Sequence, residues 1–187
     1  MKLVLASGNP HKLAELRRAL PTFEIDGLDR DDPPEEDGAT FEDNARIKAR
    51  WGRLHAPPDA WAVGEDSGVE AEALDGGPGV RTARWAAGDP VGRILAALAG
   101  ADERRARYVS VLVAIAPDGR ELVAEGTLDG TIATSAAGRE GFGFDPVFVP
   151  DGETLTVAAL GDAWKQTHSH RGRAAAVLAG RLRDAGR

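Results

Sequence analysis

Apolar residues along this chain recur with two different periods, and the alternation of the two predicts strands interleaved with helices. Leu3-Val-Leu-Ala6 is an unbroken apolar run, the signature of a buried strand. Ser7-Gly8 turns it, Asn9 fits an N-cap, and Pro10 fits the first helical position. Leu13, Leu16 and Leu20 then fall on one helical face, which Pro21 ends. Thr40 opens a second helix, with Asp43 in the capping-box position. Glu42, Arg46 and Arg50 form an i, i+4 charged ladder expected to face solvent. Asn44 and Lys48 share a different face with Phe41 and Ala45. A lysine beside such an apolar edge either snorkels or points into a cleft, and the pattern alone favours snorkelling.

The strand beginning at Trp61 is expected to stop at Glu65-Asp-Ser-Gly68, followed by the glycine-rich Ala73-Leu-Asp-Gly-Gly-Pro-Gly79. Residues 90–99 read as a helix closed by Gly100. Residues 107–116 form a β-branched strand, Pro117-Asp-Gly-Arg120 a turn, and residues 121–133 a strand pairing back as a hairpin. Gly126 and Gly130 read as bulges. Residues 138–150 are irregular and aromatic, and Ser169 caps a last helix through Ala174, Val177, Leu178 and Leu182. The expected class is α/β.

Composition narrows the function. At 187 residues, 42% hydrophobic and 28% charged, the chain suits one soluble domain spanning residues 1–187. No apolar run approaches membrane-spanning length, and Met1–Ala6 is too short for the apolar region of a signal peptide. The absence of cysteine excludes disulfides, thiolate zinc sites and cysteine nucleophiles, and fits a cytoplasmic protein. A net charge of −7 argues against non-specific nucleic-acid binding. That charge is uneven: residues 24–43 hold ten acids and one arginine, whereas residues 165–187 hold six Lys/Arg and one acid. Two solvated faces would explain this. So would a cleft with a metal-binding side and an anion-binding side, suited to a magnesium polyphosphate.

Four segments carry candidate chemistry. Glu65 and Asp66 at a strand end could hold a hard cation such as Mg²⁺, or form a solvated acidic turn. Ser7-Gly8-Asn9 before a helix start presents backbone N–H groups with Lys12 in the first turn, an anion site or an ordinary cap. The spacing is not that of a Walker A loop. Phe142, Phe144 and Phe148 could be core or could stack a nucleobase. His168, His170 and Arg171 cluster at the start of the last helix, but the four histidines lack zinc-ligand spacing.

Together, five segments in order resemble the inosine triphosphate pyrophosphatase family. They are Ser7-Gly-Asn-Pro-His-Lys12, Thr40-Phe-Glu-Asp-Asn-Ala-Arg-Ile-Lys-Ala49, Glu65-Asp-Ser-Gly68 with Ala73–Val80, Gly141-Phe-Gly-Phe-Asp-Pro-Val-Phe148, and Ser169-His-Arg171. The resemblance implies an elongated mixed β-sheet flanked by helices, with two lobes and a central active-site cleft, usually in a homodimer. It implies Mg²⁺-dependent cleavage of ITP, dITP and XTP between the α and β phosphates.

The resemblance also implies roles. Asp66 would hold metal or activate water, and Glu36, with Glu35, would help place the metal. Ser7, Gly8, Asn9, Pro10, His11 and Lys12 would cradle phosphates. Lys48 and Lys165 would neutralise the polyphosphate, and Ser67 would bond phosphate or sugar. Phe142, Gly143 and Phe144 would flank the base, while Asp145, His170 and Arg171 read its edge. Glu65 stands where aspartate is common, Asp43 where glutamate is, and Arg81 and Trp85 where tyrosines are frequent. A related pyrophosphatase of modified pyrimidine nucleotides and a non-catalytic nucleotide-binding module are the alternatives.

Overall fold

The computed structural model describes residues 1–28 and 30–186, so Asp29 of the acidic stretch and Arg187 of the basic one lie outside the described residues. In chain order the elements are β1 (Lys2–Leu5), α1 (Pro10–Ala19), β2 (Glu24–Gly27), α2 (Phe41–His55), β3 (Trp61–Ala71), α3 (Thr82–Ala86), α4 (Pro90–Ala97), β4 (Arg105–Ile115), β5 (Glu121–Ile132), β6 (Phe148–Pro150), α5 (Val157–Leu160), α6 (Asp162–His168) and α7 (His170–Ala185). Six strands form one mixed sheet in the order β2-β1-β3-β4-β5-β6. The first three are parallel and the rest antiparallel.

The caps form as the residues dictate. Asn9 accepts from the backbone of His11 and Lys12, Thr40 and Asp43 make a reciprocal box, and Ser169 accepts from Gly172 N–H. Arg46 of the charged ladder pairs with Glu42 and reaches across to Glu121 of β5.

Strand β3 departs from the expected turn. It does not stop at the carboxylates but runs through them to Ala71, paired with β4 along its length. The strand that stops is β1, whose last partner is Val63. Residues 65–71 therefore lie past the end of β1. Chain order sends β2 to one side of β1 and β3 to the other, a topological switch point of the kind that opens a crevice for ligands. Because successive side chains of a strand face opposite ways, Asp66 points with Gly64 and Gly68 toward α2, while Glu65 and Ser67 point toward α1 and α7. The two neighbouring carboxylates are thus on opposite faces of the sheet.

Helix α2 lies hard against β3. A methyl group at Gly64 would come within 2.0 Å of Ala45 O and 2.5 Å of Ala49 N. Gly126 and Gly130 serve the same purpose elsewhere. The β4–β5 ladder runs through both in unbroken register, so neither is a bulge. A Cβ at Gly126 would meet His170 O of α7 at 2.2 Å, and one at Gly130 would meet Val149 O of β6 at 2.3 Å.

Two main cores result. One packs Leu3, Leu5, Leu16, Leu112, Leu178 and Leu182 between the sheet and helices α1 and α7. The other packs Val69, Ile94, Leu98, Leu128, Val147 and Phe148 at the far end of the long strands. Each is the centre of a lobe, and a smaller cluster around Ala45, Ala49 and Val111 seats α2. Val177, expected in the apolar stripe of α7, is 41% exposed. No helix among the described residues is long and apolar enough to cross a membrane.

Candidate active site

Two cavities meet at the point where β1 ends. The smaller, about 200 Å³, lies among Phe142, Phe144, Tyr108 and His170. The larger, about 500 Å³, runs over Ser7, Gly8, Asp66, Lys48 and Glu36. Asn9, Lys12, Ser67 and Ala83 line both. One aromatic chamber therefore opens into one polar chamber through a neck carrying a lysine, a hydroxyl and a helix N-terminus. That suits a base-bearing group in the first and a phosphate chain in the second.

In the larger cavity Asp66 is buried to 6% exposure. Its Oδ1 accepts from Lys48 Nζ at 2.9 Å and its Oδ2 from Asn44 Nδ2 at 3.2 Å. Lys48 also donates to Glu36 at 2.9 Å. Burial would suppress the Lys48 charge, but Asp66 and Glu36 outweigh it and hold the ammonium above its ordinary pKa. Asp66 is raised, because burial costs its charged form more than a shared lysine returns. Lys48 thus does not snorkel to solvent but points inward at two carboxylates. The loop carrying Glu36 is tied down at Glu36 and Gly38, close to the start of α2. Gly38 N–H donates to Asn44 Oδ1 at 2.8 Å, and Arg84 donates to Glu36 O at 3.1 Å.

The opposite face of β3 is arranged differently. Glu65 is 0% exposed; its Oε2 contacts Lys12 Nζ at 2.6 Å, and its Oε1 accepts from Arg171 Nη2 at 3.1 Å and from Ser110 at 3.0 Å. Burial pushes this carboxyl up, but Arg171 and Lys12 pull it further down, well below the usual range. Arg171 continues to Glu15 and to Ser67 Oγ at 3.0 Å. Lys165 sits between Glu15 at 2.5 Å and Asp145 at 2.7 Å. Three carboxylates and three cations thus form one buried, neutral chain from the neck to the aromatic chamber.

In that chamber Phe142 has Lys165 over its ring at 4.7 Å and Arg171 at 5.6 Å. Its backbone N–H is held by Asp145 at 2.7 Å, which fixes the loop. Tyr108 stacks on Phe148 at 4.0 Å and packs against His170 at 4.7 Å. Burial, then Arg171, push His170 well below its ordinary pKa, so the imidazole is neutral. Its Nδ1 is buried without a partner.

The structure brings together most of the residues singled out from sequence, with exceptions. Glu35 is exposed, and neither it nor Pro10 nor His11 lines either cavity. His11 instead stacks on Phe142 at 5.1 Å. Lys165 belongs to the aromatic chamber rather than to the phosphate end, and its ammonium is ion-paired with two carboxylates. Arg171 uses four of its five N–H groups internally. The basic stretch therefore does not form a free anion-binding wall. Its buried members are neutralised, and Arg173, Arg181 and Arg183 face solvent.

Glu15 and Tyr108 were not singled out. Glu15 follows Lys12 by one helical turn, and Tyr108 is the one polar-tipped aromatic in an aliphatic strand; those are the signals each offered. Among the described residues no group of three or more His, Cys, Asp or Glu could hold a metal ion. The all-oxygen pair Asp66 and Glu36, with one lysine between two carboxylates, fits Mg²⁺, which binds through one or two carboxylates and completes its shell with waters and substrate phosphates.

The Ham1 family model matches residues 3–180. A dITP/XTP pyrophosphatase of Mycobacteroides abscessus is 45% identical over 199 residues, spanning 98% of this chain and 96% of that one. One from Bdellovibrio bacteriovorus is 41% identical over 184 residues, 91% and 92% of the two chains. Among solved structures, the Staphylococcus aureus Ham1 protein is similar with a TM-score of 0.86 at 32% identity, over 99% of this chain and 100% of that chain. The nucleoside-triphosphatase, or dITP/XTP pyrophosphatase, of Mycobacterium abscessus gives 0.72 at 42% identity, over 97% and 100%.

Proposed function

The chain belongs to the Ham1 family, and from that premise we infer that it hydrolyses aberrant purine nucleoside triphosphates, ITP, dITP and XTP, to the monophosphate and pyrophosphate. The observation that carries the reading is the pair of chambers joined at Ser67 and Lys12, aromatic on one side and lined by charged side chains of both signs on the other. The purine lies against Phe142, with Tyr108 and neutral His170 behind it. The N-terminus of α1 and Lys12 receive phosphate at the neck. Asp66, ionised, accepts the proton of the attacking water. Lys48 steadies Asp66 and meets the negative charge that develops on the leaving phosphates.

Magnesium dependence is part of the same reading. Asp66 and Glu36 would hold the ion, which when bound neutralises phosphate charge and keeps Asp66 ionised. Cytoplasmic residence and a homodimer go with it, the latter readable by size-exclusion chromatography. Selectivity has a simple physical form. A 6-oxo group accepts a hydrogen bond where adenine's 6-amino group donates, so the one uncommitted N–H of Arg171 would be left unpaired by ATP.

The test is product analysis of labelled ITP with and without Mg²⁺, beside ATP. IMP and pyrophosphate should appear together, ATP should be turned over far more slowly, and EDTA should abolish turnover. Early IDP would overturn the α–β assignment, and undiminished activity after exhaustive chelation would overturn the metal assignment.

A further inference from the structure

The larger cavity differs from a plain phosphate cup in size and in lining. It measures about 500 Å³ against about 200 Å³ for the aromatic chamber. A phosphate chain asks for donors and cations, which Lys48 and Arg84 supply, yet the same wall also carries the apolar Trp51, Leu28, Pro33 and Pro34, with Arg30, paired to Asp32, at its exposed edge. Asn44, Lys48 and Trp51 are spaced i, i+4, i+7 along α2 and share one face. The first two hold Asp66, and Trp51 follows about 4.5 Å further along the axis. The ordered path is therefore aromatic chamber, neck, Asp66 and Lys48, then indole. Trp51 also borders a second, open concavity on the surface, so this end is not closed.

The geometry points to a leaving group larger than pyrophosphate: a polyphosphate esterified at its far end by a second nucleoside, whose base stacks on Trp51. This rests on the hydrolase reading above. Water adds to the α-phosphorus at the inosine end, the bond from that phosphorus to the bridging oxygen breaks, and one proton passes to solvent. An inosine–adenosine tetraphosphate, joined 5′ to 5′, thus gives IMP and ATP.

The experiment compares ITP, that mixed dinucleotide and the γ-methyl ester of ITP on wild type, Trp51→Ala and Trp51→Phe, with Mg²⁺. Wild type should release IMP and ATP in equal amounts. Stacking on an aromatic side chain is worth roughly fivefold to a hundredfold. Trp51→Ala should therefore lower kcat/KM for the dinucleotide by at least about fivefold while leaving ITP and the methyl ester within about twofold. Trp51→Phe should recover most of the loss. Wild type that turns over ITP but not the dinucleotide overturns this inference and leaves the hydrolase reading intact. An equal fall for all three substrates in Trp51→Ala also overturns it. Failure on ITP itself overturns both.

Discussion

The two faces of β3 carry neighbouring carboxylates with opposite fates. Glu65 faces a balanced chain of three acids and three cations, every member of which has its charge matched. Asp66 faces one lysine that it shares with Glu36, and a neutral amide. The first face is electrically closed and holds the neck and the aromatic chamber in register. The second has one acid too many, a deficit that a cation, or the proton given up by an attacking water, can fill. Alternation along a single strand is enough to separate scaffold from chemistry.

Exchanging each carboxylate for its amide tests that division most severely. Asp66→Asn should fold with a melting temperature close to wild type, because it removes a charge that burial already disfavours. Its kcat should fall by about 10²–10⁴-fold, the worth of a general base. More than about a tenth of wild-type kcat at saturating Mg²⁺ would remove Asp66 from that role. Glu65→Gln should do the reverse, acting first on stability. It strands Lys12 and Arg171 beside a neutral group, and breaking a buried pair costs about 3–5 kcal/mol. At about 2–4 °C per kcal/mol for a chain of this size, scanning calorimetry should show a fall of roughly 6–20 °C. A Glu65→Gln melting temperature within a degree of wild type would refute the scaffold assignment.

Acid separates the faces more gently. Glu65 has a folded pKa below its unfolded one, so its stabilisation is present above the ordinary carboxylate range and is lost only as pH falls through the lowered value. Asp66 is raised, so without metal its carboxyl should titrate above the usual aspartate range by carbon NMR, and Mg²⁺ should lower it. The first stability loss on acidification comes from His170. Its folded pKa lies well below the ordinary histidine value of 6.5, so the unfolded chain takes up a proton that the folded chain refuses. Stability should decline as pH drops below about 6.5, by at most ~1.4 kcal/mol per unit. Urea titrations at pH 7.5 and 5.5 should show the decline in wild type and not in His170→Gln; equal declines would place its origin elsewhere.

What sequence made legible was local. Asn9, Thr40 and Ser169 cap the helices assigned to them, and Pro117-Asp-Gly-Arg120 joins the expected hairpin. These depend on contacts within a few residues. The course of β3 did not, because its apolar run ends at Gly64 while its hydrogen bonds continue; the register with β4 extends it. Nor could spacing show that Lys12 is shared with Glu65, or that Lys165 and Arg171 are consumed by Glu15, Glu65 and Asp145. Glu65 and Arg171 stand 106 residues apart and meet only in the folded chain. A lysine or arginine in a motif advertises charge, and whether that charge is free to meet a ligand depends on partners that the motif does not contain.

Gly64 gives this arrangement its dimension. Helix α2 rests on β3 there with no side chain between the two backbones, and a single methyl group would have to occupy the place of Ala45 O. The separation between Asp66 and the lysine opposite is therefore gauged by an absent atom. Enlarging residue 64 would wedge helix from sheet and pull the ammonium out of reach without touching a charged group, so the tolerance of the reacting centre is set by a position with no chemistry of its own.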